Sequence, residues 1–168
     1  AKVRADGAGI ASFCVDHRGK ERAAFEDELA QHLVSAQVEL VVLAGFMRVV
    51  TPVLLDAFPD RVINVHPALL PAFPGVDAQA QALAYGVRVT GCTVHLVDAG
   101  VDTGPIVGQT AVPVLPGDDR DALAARTLGP ADRGPFRVAV ERPVVDALRL
   151  EEDHRVVVLD GGDQQSLG

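Results

Sequence analysis

Asn64, His66 and Asp102 are the residues whose types and spacing could do chemistry. Asn64 and His66 stand two apart in "INVHPALLPAFPG" (63–75), where an apolar run asks for another Val. The period of two along a strand turns both side chains to one face, and Pro67 keeps His66 extended and ends the ladder. A carboxamide and an imidazole converging in this way can stabilise negative charge developing on a carbonyl oxygen. Asp102 lies in the glycine-flanked turn "AGVDTG" (99–104), from which a carboxylate can approach the end of another strand. Beside His66, its charge raises the imidazole pKa and favours imidazolium at neutral pH, which makes His66 a donor to an oxyanion. Such a site suits attack of a neutral amine on an activated acyl group. Asp102 then helps remove the amine's proton, directly or through water, and no covalent enzyme intermediate is needed.

Each residue also has a plainer reading. His66 could be a satisfied core histidine and Asp102 a turn cap. His66, His95 and Asp102 have the ligand types of a two-His, one-carboxylate metal site, although residues so dispersed meet that description by chance, and no metal is expected. Cys92 and His95 fall on opposite faces of "GCTVHL" (91–96), which weighs against a thiol nucleophile and leaves His95 a supporting or structural role. Neither GxxxxGK[ST] nor GxGxxG occurs, so no P-loop or ordinary dinucleotide fingerprint is present.

The elements that must position these residues alternate. "IASFCV" (10–15) reads as a strand, and Phe25, Leu29, Leu33 and Ala36 recur at helical spacing in the segment after it. "VELVVLAGF" (38–46) is a continuous apolar run, as a strand buried on both faces should be. Thr51 and Pro52 supply an N-cap and a first-turn proline for a short helix. "RVINVHP" (61–67), "TGCTVHLVD" (90–98) and "PIVGQTAVPV" (105–114) are further strands. Asp77 is expected to cap a helix ending at Gly86, and Asp118 or Asp119 opens a last helix that Gly129 and Pro130 stop early. "RVVVL" (155–159) is strand-like, before a polar end expected to be disordered. The pattern predicts one α/β domain over 1–168, a Rossmann-like, mostly parallel sheet with flanking helices. Ligands of such sheets sit beyond the carboxyl ends of the strands, so the loops holding "GFMRVV", "NVHP" and "VDAGVDTGP" are expected to meet at one rim.

Composition narrows the function classes. The 168 residues carry 15 Lys and Arg against 23 Asp and Glu, a formal charge of -8, which argues against a nucleic-acid surface. An anionic small molecule would need a local cationic spot instead. Two distant cysteines suit a reducing, cytoplasmic setting rather than a disulfide framework. No apolar run approaches the roughly 20 residues of a membrane span, and no signal peptide is visible.

The motifs "VVLAGFMRVV", "RVINVHPALLPAFPG" and "VTGCTVHLVDAGVDTGPIVGQ", in this order and spacing, resemble the phosphoribosylglycinamide formyltransferases, folate-dependent enzymes of purine synthesis. The resemblance runs from about Gly9 to about Arg126. It implies formyl transfer from 10-formyltetrahydrofolate, as cosubstrate, to the amine of glycinamide ribonucleotide, by a monomer or homodimer. By the same resemblance, Asn64, His66 and Asp102 match the catalytic trio, Asn64 also touching the folate. Met47, Arg48, Val49 and Val50 match the loop that holds the folate, and Asp98, Ala99, Gly100, Val101 and Asp102 the loop that closes over its pterin. Arg22 matches a further cofactor contact, and for an anionic folate tail Arg22 and Arg48 are the local cations the overall charge requires.

Three departures accompany the match. The family begins with a strand and a glycine-rich phosphate-binding turn, whereas this sequence starts at "AKVRADGAGIAS", which reads as a helix end, a turn and a strand. A chain lacking those first βαβ elements is expected to leave an unpaired sheet edge beside the site. Asp77 stands where the family usually has a histidine, and 127–168 diverges, beginning with "TLGPADRGPF" in place of a helical segment. The folate half of the site is thus expected intact and the nucleotide half altered. Formyltetrahydrofolate deformylase and methionyl-tRNA formyltransferase share the Asn, His and Asp core, the latter needing a basic face that this chain lacks. From another class, the chain could be a remnant that binds folate or a partner through an exposed edge strand without turning over.

Overall fold

The computed structural model describes residues 12–129 and 156–159, together with Gly7. In chain order the elements are α1 (Arg22–Ser35), β1 (Leu40–Ala44), α2 (Pro52–Ala57), β2 (Val62–His66), α3 (Ala78–Tyr85), β3 (Val89–Leu96), β4 (Ile106–Pro113), α4 (Arg120–Leu128) and β5 (Val156–Leu159). The strands form one sheet in the order β4-β3-β2-β1-β5.

β1 pairs in parallel with both β2 and β5, while β3 is antiparallel to β2 and to β4. Four strands therefore point one way and β3 alone is opposed. The sheet is Rossmann-like but mixed, because β3 and β4 are joined by a short turn that allows only antiparallel pairing. For the same reason the turn after β3 leaves from the opposite end of the sheet to β1 and β2, and the expectation of three loops at one carboxyl rim is corrected. In the described sheet β5, not β1, forms the edge on that side. β5 lies along β1 in the register Leu40↔Val156 to Leu43↔Leu159, so the outer side of β1 is covered.

Strand alternation gives the sheet two apolar faces. On one, Val41, Leu43 and Val62 pack with Phe25, Leu29 and Leu33 of α1 and Leu54 of α2, and Val157 and Leu159 of β5 join from the side. On the other, Leu40, Val42, Ile63, Val65, Cys92 and Val94 form a second cluster. Leu33 has no exposed surface, and truncation of such a side chain to Ala costs about 2–5 kcal/mol. Among the described residues no helix is long and apolar enough to cross a membrane.

Local signals held at two caps and failed at Asp77 and at 12–15. Thr51 caps α2, accepting from the Val53 amide at 3.3 Å, and Asp119 caps α4, accepting from Ala122 at 2.8 Å. Asp77 precedes α3 but has φ 57° and makes no side-chain cap; its carboxylate instead accepts from Arg120 Nε of α4 at 2.8 Å. Of the strand expected at 10–15, residues 12–15 form none and 10–11 lie outside the described residues. Phe13 packs on His32 of α1, ring centres 5.3 Å apart. The segment 130–155 and the tail beyond Leu159 lie outside the described residues.

Candidate active site

β2 carries Val62, Asn64 and His66 on the face covered by α1 and α2, so its apolar row turns polar toward its carboxyl end. Antiparallel register sets His95 of β3 directly opposite Asn64. The Asn64 amide donates to His95 Nε2 at 3.2 Å, while the other His95 ring nitrogen, Nδ1, donates to the Leu96 carbonyl at 2.8 Å. That second bond fixes the tautomer, leaving Nε2 the acceptor.

Asp102 completes the cluster from the turn between β3 and β4. Its φ of 54° lies in the left-handed region, which Asp tolerates, and the turn doubles back over the sheet face. Asp98 pins the turn by accepting from Gly100 N at 3.0 Å and Thr103 Oγ1 at 2.7 Å. A Cβ at Gly104 would lie 1.9 Å from the Leu96 carbonyl oxygen, so only glycine permits this closure. The Asp102 carboxylate accepts from Gly75 N at 2.7 Å and Asn64 Nδ2 at 3.2 Å, and stands 3.3 Å from both His66 Nδ1 and His95 Nε2. Groups from β2, the loop after it and β3 thus meet on one carboxylate.

His66 Nε2 donates to the Phe73 carbonyl at 2.8 Å, so a second proton on the ring would sit on Nδ1, facing Asp102. The Asp102 charge and the Phe73 carbonyl raise the His66 pKa, but burial outweighs them and, with His95, holds it below the ordinary value. The expectation of a standing imidazolium is corrected accordingly: the His66 side chain is only 4% exposed, and the cost of burying a charge is the larger effect.

The loop from Phe46 to Val50 leaves β1 beside the end of β2, since Ala44 is registered with Val65. Val50 is buried, Arg48 is half-buried, and Met47 and Val49 are exposed. The Arg48 guanidinium lies over the Phe25 ring, 5.5 Å from its centre, and Arg22 Nη1 approaches the Val49 carbonyl at 3.5 Å. Ala99, Gly100 and Val101 are exposed in the β3–β4 turn. Among the described residues no group of His, Cys, Asp and Glu is arranged to hold a metal ion.

A model of the formyl transferase family matches residues 1–138. The chain belongs to the formyl transferase family. It is 46% identical over 144 residues to a phosphoribosylglycinamide formyltransferase of Mycobacterium tuberculosis, covering 86% of this chain and 62% of that protein. It is 49% identical over 124 residues to a trifunctional purine biosynthetic protein of Drosophila pseudoobscura, covering 73% of this chain and 9% of that much longer protein. The crystal structure of glycinamide ribonucleotide transformylase 1 from Symbiobacterium toebii superposes with a TM-score of 0.79 at 46% identity, over 92% of this chain and 72% of that one. The chain thus spans under two thirds of the length of these curated relatives.

In this formyl transferase the structure brings Asn64, His66 and Asp102 together, and sets Met47–Val50 on the neighbouring loop, with Arg22 of α1 reaching the Val49 carbonyl. Sequence reasoning undervalued His95, whose signal was its place opposite Asn64 once β2 and β3 are paired antiparallel. It missed the Gly75 amide and the Phe73 carbonyl altogether, because backbone groups leave no side-chain signature. The "FPG" run (73–75) that shapes them was the only trace.

Proposed function

We propose that this chain transfers a formyl group from 10-formyltetrahydrofolate to the amine of glycinamide ribonucleotide, the purine-synthesis reaction, as one formyltransferase domain over 1–168. The observation that carries the reading is the meeting of Asn64, His66, His95 and Gly75 on the Asp102 carboxylate. The folate, when bound, supplies the activated formyl group. Exposed Met47 and Val49 suit the flat ring of a folate, and Arg22 and Arg48 beside them suit its anionic tail. The residues that fit this cosubstrate are therefore Arg22, Met47, Arg48, Val49, Val50 and Asn64, with Asp98, Ala99, Gly100, Val101 and Asp102 on the opposite side.

Asn64, His66 and Asp102 carry the chemistry in this reading. The Asn64 amide and the His66 ring exchange their present partners for the formyl oxygen and stabilise the charge that collects there as the amine attacks. Asp102 receives the amine's proton, directly or through water, and that proton leaves on the tetrahydrofolate nitrogen as its bond to the formyl carbon breaks, so that Asp102 returns to the carboxylate facing His66 Nδ1. Transfer needs no metal and no covalent enzyme intermediate. Substrates are small molecules rather than nucleic acid or membrane, the active form is a monomer or homodimer, and the setting is cytoplasmic, a reading supported by the free thiols of Cys14 and Cys92.

Calorimetric titration with a hydrolysis-resistant 10-formylfolate analogue tests the donor side. Saturable 1:1 binding that weakens in Arg48→Ala supports the reading, and a folded chain that takes up no analogue contradicts it.

A further inference from the structure

Three side chains from one face of α1 reach the segment between β1 and α2. Arg22, Phe25 and Glu26 are spaced i, i+3 and i+4, so they stand together on the helix surface. Arg22 and Phe25 meet Val49 and Arg48 as described above. Glu26 accepts from the Thr51 backbone N–H, 3.0 Å from each carboxylate oxygen, and from the Thr51 hydroxyl at 2.5 Å. Glu26 is 1% exposed, and nothing in the proposed chemistry uses it.

Burying a carboxylate costs far more than burying an apolar side chain of similar size, unless hydrogen bonds satisfy its lone pairs. Here the hydrogen bonds converge on Thr51, the N-cap residue of α2 and the residue that ends the Met47–Val50 loop. The loop is therefore pinned at one end by β1 and at the other by Glu26, with Val50 buried between and Met47 and Val49 left outside. A loop ordered in this way has lost its conformational freedom before a ligand arrives, and binding does not bear that cost again.

We infer that Glu26 is a positioning residue for the formyl donor, holding the Met47–Val50 loop preformed through its bonds to Thr51. The inference rests on the proposed reading of that loop as the donor's seat. A merely structural Glu26 would act on stability alone, whereas a positioning Glu26 also sets the affinity of the folded protein for the donor.

The experiment titrates Glu26→Gln, Thr51→Val and Thr51→Ser with the 10-formylfolate analogue by calorimetry, below the melting onset found for each variant. Glu26→Gln is expected to bind about tenfold more weakly, the worth of a lost charge-assisted hydrogen bond. Thr51→Val, which removes the hydroxyl and keeps the backbone donor, should weaken binding by a smaller factor, and Thr51→Ser should match the wild type. Analogue affinity in folded Glu26→Gln equal to wild type, whatever its melting temperature, overturns the inference and leaves Glu26 a structural cap. If Glu26→Gln does not fold, Thr51→Val decides, with undiminished affinity again the overturning result. A wild type that binds no analogue contradicts the donor reading itself, and this inference with it.

Discussion

His66 Nδ1 faces Asp102 Oδ2 across 3.3 Å while the opposite ring nitrogen donates to the Phe73 carbonyl, so the place for a second proton on the ring is the one Asp102 faces. The two residues form a proton couple, buried enough to hold the imidazole neutral at rest and charged enough to stabilise the proton when it arrives.

The couple can be tested by removing its charge. Asp102→Asn keeps an acceptor for the Gly75 amide but withdraws the influence that raises the His66 pKa. NMR titration of the His66 ring should therefore show a lower apparent pKa in the variant, with kcat/KM down by about a hundredfold or more, as expected for loss of a proton-transfer group. An unchanged or raised His66 pKa in the variant would show that the two do not interact as described.

Burial of His66 also sets a pH dependence of stability. Its folded pKa is held below the ordinary 6.5, so as the pH falls below that value the unfolded chain takes up a proton that the folded chain resists. The stability His66 contributes is present in full above about 6.5 and declines as pH falls toward the folded pKa. Urea midpoints at about pH 7.5 and about pH 5.5 should fall further for the wild type than for His66→Gln. Equal falls would mean that other groups dominate.

The two cysteines separate cleanly. The Cys92 thiol is fully buried and pushed up to about 11, while Cys14 is exposed. Since the thiolate is the reactive form, a disulfide reagent at about pH 8 should modify Cys14 rapidly in the folded protein and Cys92 only on unfolding. Rapid native modification of both would argue against the burial of Cys92 and reopen its reading as a nucleophile.

β5 supplies a test of the fold. Val157 packs against the core between β1 and the helices, whereas Val158 on the other side of the strand is 60% exposed. Val157→Asp should cost about 1–3 kcal/mol by placing a charge against apolar neighbours, and Val158→Asp markedly less. Equal and small costs in denaturant unfolding would show that β5 does not dock on β1.

Much of this molecule could be read from local signals. Thr51 and Pro52 announced α2, the apolar runs announced β1, β2 and β5, and strand periodicity placed Asn64 and His66 on one face. What escaped was set by pairing between distant segments. The direction of β3, and with it the place of His95 opposite Asn64, follows from tertiary pairing that no window of sequence contains. The docking of β5 beside β1 is equally non-local, and it covers the outer side of β1. Electrostatics failed in another way. Proximity of Asp102 to His66 could be inferred, but the balance between that charge and the loss of water around the ring depends on how deeply the ring is buried.

The proposed reaction requires that the folded chain move a formyl group. The direct measurement is the absorbance change on incubating the chain with 10-formyltetrahydrofolate and glycinamide ribonucleotide, beside His66→Ala verified as folded by circular dichroism. Turnover is expected to require both substrates and to be lost in His66→Ala. A folded wild-type chain that produces no formylated product, or a His66→Ala variant as fast as wild type, would contradict it.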